Sequence, residues 1–213
     1  MDNKMKNNPV IISGIHRSGT SLLSKIFQNE NIYFGSIKDI NNESIFFQNI
    51  NKWIMSSNSS SWDNPLTIRD NLKDKRFTML LNKVQNMLNS WTNFKYFGWS
   101  SLIIRKSFFT FKSKWGWKDP RNIFTLPFWL SIFPNSKVVI LIRHPYDVVN
   151  SLISRNALLL KNDIKNKNRF FSYFLTPLLN INNYSNLSSN LDTFEDGMKL
   201  YDIYYNEIQF MKG

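Results

Sequence analysis

The chain has 213 residues, with 27 Lys and Arg against 15 Asp and Glu, for a formal net charge of +12. Hydrophobic residues make up 42% and aromatics 15%, enough for a folded core and too apolar for a disordered polymer. The absence of cysteine excludes a disulfide scaffold, a thiolate-held metal and a thiol nucleophile, and two histidines, His16 and His144, are too few for a histidine-rich metal centre.

Asn is heavily over-represented and Ala157 is the only alanine, a skew that fits AT-rich coding and makes part of the lysine surplus compositional. The positive balance suits an anionic ligand and equally a solvated lysine-rich surface; alone it does not indicate nucleic acid. Residues 1–8 are polar and lead straight into an apolar run, with no signal core of adequate length. The longest apolar stretch, 124–133, is broken by Thr125, Pro127 and Ser131 and falls short of the ~20 residues that span a bilayer. A soluble, cytoplasmic protein is expected.

In chain order, residues 9–13 read as a short buried strand closed by Gly14. Residues 20–29 read as a helix with Leu22, Leu23, Ile26 and Phe27 on one face, and residues 42–55 can form a second. The Ser/Asn-rich stretch 56–64 is expected to be the least ordered part of the first half. A long amphipathic helix is expected over 69–90 and a short strand over 115–117. Asp119-Pro120 then supplies an N-cap and a first-turn proline for a helix reaching residue 133. The continuous apolar run 137–142 predicts a parallel strand covered on both faces. Helices follow over 146–160 and 191–211, and no internal repeat is present. Strands alternating with helices predict an α/β fold with a mainly parallel central sheet flanked by helices, as one domain over 1–213.

Three segments carry chemistry. The first is Gly14-Ile15-His16-Arg17-Ser18-Gly19-Thr20-Ser21, between a strand and a helix, with the glycine spacing of a phosphate loop. Glycines let the backbone turn tightly, successive N–H groups point inward, and the helix N-terminus adds a positive dipole. Thr20 and Ser21 can donate to phosphate or sulfate oxygens. A nucleoside-triphosphate loop would continue with Lys after the second glycine, whereas here Thr20 follows and the cation is Arg17, which disfavours an ATPase or GTPase. The second segment runs from Lys137 to Arg155. Arg143 emerges where the strand ends, with Ser151 eight residues on and Arg155 one helical turn further. Strand ends of open α/β sheets bind ligands, and an Arg fork with a hydroxyl suits a phosphate monoester. The third is Trp115-Gly116-Trp117-Lys118-Asp119-Pro120-Arg121, in which Lys118 can reach the same sheet edge.

Together GIHRSGTSLL, WKDPR and VVILIRHPYDVVNSLISR resemble the sulfotransferases that use 3′-phosphoadenosine-5′-phosphosulfate, closest to the bacterial-type and tyrosylprotein-sulfotransferase-like branches. The resemblance covers residues 9–160 and implies a P-loop-containing three-layer fold. It implies that the Gly14–Ser21 loop (Gly14, His16, Arg17, Ser18, Gly19, Thr20, Ser21) holds the 5′-phosphosulfate. Arg143 and Ser151, with Arg155 beside them, would hold the 3′-phosphate. Lys118 would act at the bridging oxygen or the sulfuryl group. The implied reaction is in-line sulfuryl transfer to a hydroxyl or amine of an acceptor, a glycan or small molecule, with no metal required, no membrane span and no specific nucleic acid. Such a transfer needs positioning and preorganised donors rather than a covalent intermediate.

A general base should deprotonate the acceptor. Glu43 is favoured over Glu30, Asp39 and His16. Gln48 occupies the position aligned with a glutamate of related chains, and glutamine cannot be a base. The resemblance also leads one to expect a further strand beyond residue 211, so the chain reads as a shortened variant or a C-terminal truncation. The competing readings are a small-molecule kinase on a modified phosphate loop, a basic nucleic-acid-binding module with Trp91, Tyr96 and Trp99, and an inactive transferase.

Overall fold

The computed structural model describes residues 8–65, 75–101, 107–167 and 187–211. Two compact units are distinguished: Met1–Ile142 with Ile203–Gly213, and Arg143–Asp202. No described helix is long and apolar enough to cross a membrane.

The first unit is built on a parallel sheet with strand order β2-β1-β3, where β1 is Val10–Gly14, β2 Gly116–Lys118 and β3 Lys137–Leu141. The register pairs Ile12 with Lys118 and Gly14 with Leu141, so Lys118 stands at the end of the sheet where the Gly14 loop departs. Helix α1 (Thr20–Asn29) leaves that loop, as the apolar spacing predicts. It packs on β1 and β2, and α2 (Ile45–Ser56) follows. Then come α3 (Lys75–Asn89), a 3-10 turn at Trp91–Asn93, the short α4 (Phe94–Phe97), and α5 (Asn122–Ile132), which also packs on β1. Apolar residues lie all round α5, as expected of a helix buried on every side.

The core is aromatic. Phe47 stacks on Trp117 at 4.0 Å between ring centroids and meets Tyr96 and Trp129 edge-on, each at 5.3 Å. Burying a side chain of this size contributes about 3 kcal/mol.

Several sequence expectations shift. Helix α2 starts at Ile45 rather than 42, because Asn42 has φ 62° and the Asp39 carboxylate closes a turn by accepting from the N–H groups of Asn41 and Glu43. The stretch 56–64 is well tied down: Asn58 donates to Ile54 O at 2.7 Å and Ser60 Oγ to Asn64 O at 3.2 Å. Residues 69–74 of the expected long helix lie outside the described residues. Asp119 does not cap α5. Its carboxylate accepts from the Arg121 N–H at 2.9 Å, one turn ahead of the helix, and Arg121 takes the N-cap position. Strand β3 is half-buried at the edge of the described sheet, and it is β1, the central strand, that is covered on both faces.

In the second unit, α6 (Pro145–Lys167) and the first part of α7 (Phe194–Phe210) are the described helices. Asn156 secures the approach to α7 by donating to the carbonyls of Ser188 and Leu191 and accepting from the Ser188 N–H. Thr193 and Asp196 form a reciprocal capping box, which satisfies donors that the first turn of α7 leaves open.

Candidate active site

The loop after β1 has the geometry of an anion cradle. Gly14 has φ 154°, and a Cβ there would stand 2.5 Å from the Leu141 carbonyl oxygen, so only glycine lets β1 and β3 close together at this point. Gly19 enters α1 in the left-handed conformation, which a β-carbon disfavours. Arg17, at φ 70°, is exposed at the loop tip. Ser18 is buried, and its Oγ has no hydrogen-bond partner among the described residues. A buried hydroxyl of this kind costs free energy that a ligand oxygen would recover, so the loop fits an anionic group. His16 does not face outward. Its ring is buried edge-on between Trp62 (4.9 Å) and Tyr204 (5.9 Å), a packing that suits orientation of the loop rather than proton transfer.

A second feature lies beside the loop. Ser21 Oγ and Lys118 Nζ both donate to one atom, the carbonyl oxygen of Asn41, at 2.7 and 2.9 Å. Two donors from opposite ends of the first unit's sequence thus converge within bonding reach of a single oxygen. Lys118, 2% exposed, also pairs with Glu43 Oε1 at 3.0 Å. Glu43 Oε2 accepts from Arg121 Nη1 at 3.3 Å and from Gln48 Nε2 at 2.8 Å, and Arg121 Nη1 in turn contacts Asp119 Oδ1 at 3.0 Å. The result is a buried chain of alternating charge: Lys118, Glu43, Arg121, Asp119.

Its far end is held by an amide. Asn51 Nδ2 donates to Asp119 Oδ2 and Asn122 Oδ1, and its Oδ1 accepts from Thr125 and from the Trp129 indole. Both hydrogens and both oxygen lone pairs of the Asn51 amide are thus used. At the near end, Lys52 Nζ donates to Gln48 Oε1 at 3.3 Å.

Protonation follows from this layout. Burial pushes the Glu43 carboxyl up, but Lys118, Arg121 and the Gln48 donor outweigh it and hold it below the ordinary glutamate range. For Asp119 desolvation wins: Arg121 pulls the carboxyl down, burial and the Glu43 charge push it up, and it ends above the ordinary range. Burial works against the Arg121 charge, and the two carboxylates more than restore it. Lys52, half-buried, is drawn below the ordinary lysine value by desolvation first and by the Arg121 charge second.

Of the predicted residues, Ser21, Lys118 and Glu43 are brought together. Asp39 is close by, but both of its oxygens are engaged by the turn and by Gln48. Glu30 is exposed at the other end of α1. In the second unit, Arg143 pairs with Asp147 at 3.3 Å, both about half-exposed. Asp147, Ser151 and Arg155 recur every four residues along one stripe of α6. Arg121 stands in the third motif with no role assigned to it there; Asn51, Asn41 and Tyr204 are not anticipated from the sequence. Only Asn51 left a signal, a polar residue on the apolar face of α2 between Phe47, Ile50 and Ile54. Among the described residues no group of His, Asp or Glu is arranged to hold a metal ion.

A profile of the sulfotransferase family matches residues 9–208, nearly the whole chain. The chain belongs to the sulfotransferase family. No curated protein and no solved structure shows a significant match to it. For a sulfotransferase the α/β architecture is the expected one, with a parallel sheet, flanking helices and a glycine loop at the end of the central strand. Family membership supports sulfuryl transfer as the general activity.

Proposed function

We propose that this sulfotransferase moves the sulfuryl group of 3′-phosphoadenosine-5′-phosphosulfate to a hydroxyl or amine of an acceptor by in-line displacement, in the manner of the bacterial-type and tyrosylprotein-sulfotransferase-like branches. The observation that carries the proposal is the convergence of Ser21 Oγ and Lys118 Nζ on one acceptor oxygen beside the glycine loop. The carbonyl of Asn41 accepts both bonds, as an oxygen of the donor's phosphosulfate would. Such donors act on charge that spreads over peripheral oxygens as the bond to sulfur changes hands.

The roles divide by residue. Gly14 and Gly19 shape the loop; Arg17, Ser18, Thr20 and Ser21 bind the 5′-phosphosulfate; His16 orients the loop. Lys118 neutralises charge at the bridging oxygen or the sulfuryl group. Glu43 accepts the acceptor's proton. Arg143, Ser151 and Arg155 take the 3′-phosphate, a role supported by the shared stripe of Ser151 and Arg155 on α6 and by the eight-residue offset of Ser151 from Arg143. A glycan is the acceptor class we favour.

A thermal-shift series tests the donor. The product, 3′-phosphoadenosine-5′-phosphate, should raise Tm, and Arg143→Ala should abolish most of the rise. ATP with magnesium should give a smaller shift. No shift with the bisphosphate in intact protein would remove the donor assignment.

A further inference from the structure

Three acidic or amide side chains crowd the near end of the charge chain, and their bonds are unequal. Asp39 accepts four hydrogen bonds: two backbone N–H groups on Oδ1, and Asn41 Nδ2 and Gln48 Nε2 on Oδ2. Glu43 Oε2 accepts from Gln48 and Arg121. Glu43 Oε1 accepts from Lys118 alone among the described residues. Gln48 bridges the two carboxylates with one NH2 group, at 3.1 Å from Asp39 and 2.8 Å from Glu43, and turns its oxygen to the Lys52 ammonium. The orientation of the amide follows from those charges, since the reverse would set its oxygen against two carboxylates.

We propose that Gln48 is a positioning residue that selects the proton-accepting atom of the reaction centre, and that this atom is Oε1 of Glu43. The inference rests on Glu43 as the base. Gln48 occupies Asp39 Oδ2 and Glu43 Oε2 together, so the one oxygen not held by a neutral donor or a guanidinium is Oε1. As the acceptor oxygen bonds to sulfur, its proton passes to Oε1. The bond from sulfur to the bridging oxygen breaks, and its electron pair leaves with the nucleotide phosphate. Arg121, anchored by Asp119 and Asn51, keeps the opposite side of the carboxylate fixed meanwhile.

A glutamate at position 48 would act in the opposite sense. Three carboxylates would then share one small volume, and like charges at this distance force a shared proton and raise the apparent pKa. The other charges in range of Glu43 are Lys118 from β2, Arg121 and Asp119 ahead of α5, Lys52 from α2, Asp39 from its own loop and, once ionised, Tyr204 from α7.

The test compares Gln48→Glu, Gln48→Met and Glu43→Gln. Release of inorganic sulfate from 3′-phosphoadenosine-5′-phosphosulfate, with water as acceptor, is followed between about pH 4 and pH 9, with Tm over the same range. Gln48→Glu should move the acid limb of the rate up by about one unit or more, a tenfold loss at fixed pH below the limb. Gln48→Met should move it up by less, and both should keep the Tm rise with 3′-phosphoadenosine-5′-phosphate. In Gln48→Glu alone, Tm should fall as pH rises from about 4 to 7, because the folded state then holds a proton that the unfolded chain releases. If Glu43→Gln removes the acid limb while both Gln48 variants leave it in place, the role of Gln48 is overturned and the base assignment stands. If Glu43→Gln leaves the limb intact, the choice of Oε1 is overturned. Where water proves too poor an acceptor for a measurable rate, Tm decides: a Gln48→Glu profile parallel to that of the unmodified protein overturns the proposal.

Discussion

The two units use the same kind of interaction in opposite ways. In the first, Lys118, Glu43, Arg121 and Asp119 form ion pairs almost wholly removed from water. In the second, Arg143 and Asp147 form an i,i+4 pair about half-exposed to it. Buried charges persist only because each is matched, so losing one partner strands another at a cost of about 3–5 kcal/mol. An exposed pair is screened, and contributes about 0–1 kcal/mol. The first arrangement therefore suits groups whose position must not vary. The second suits the exchange of a carboxylate for a ligand that we propose for Arg143.

The strongest way to break the comparison is Arg121→Ala, which leaves Glu43 with Lys118 and takes from Asp119 its ion-pair partner. Unfolding free energy should fall by about 3–5 kcal/mol in a denaturant titration. A loss under about 1 kcal/mol would mean that water reaches the pair. Asn51→Ala comes next. It strands the Trp129 indole and takes one partner each from the Thr125 hydroxyl and Asp119, and should cost about 1–3 kcal/mol by the same measurement.

Acid sharpens the contrast. The Glu43 carboxyl is held below its unfolded value, so its contribution is present above about pH 4.3 and is lost as pH falls through the folded value. Asp119, raised, acts the other way: its contribution is present below about pH 3.9 and is lost as pH rises through its folded value. Glu43→Gln should accordingly start with a lower Tm near neutrality and lose less on acidification from about pH 5 to pH 3. Equal losses in the two proteins would contradict the buried pairing.

The smallest effect belongs to the second unit. Asp147→Asn should change stability by no more than about 1 kcal/mol, and by removing the carboxylate that competes for Arg143 should tighten 3′-phosphoadenosine-5′-phosphate binding by up to about fivefold. Calorimetric titration checks it, and weaker binding would show that Asp147 helps rather than competes.

How much of this was legible in the sequence depends on distance along the chain. The glycine pair, the hydroxyls after it and the apolar face of α1 are local signals, and they alone place α1 at residues 20–29. The continuous apolar run at 137–142 announced a strand, but not that β3 would lie at the edge of the described sheet, because neighbours are set by pairing with β1. Lys118 and Glu43 each stand out in the sequence, yet their contact spans 75 positions and no spacing rule reaches that far. Arg121 looked like the end of a motif, and only the fold gives it two carboxylates. Gln48 read as a defect where an acid was expected. The structure makes it the donor that ties two acids together.

The most direct test of the central claim is a calorimetric titration of 3′-phosphoadenosine-5′-phosphosulfate and of its desulfated product into the unmodified protein and Lys118→Met. If Ser21 and Lys118 converge on an oxygen of the sulfated group, the unmodified protein binds the sulfated nucleotide more tightly than the product, and Lys118→Met loses that preference while still binding the product. Equal discrimination in both proteins, or no binding of either nucleotide, would contradict the account.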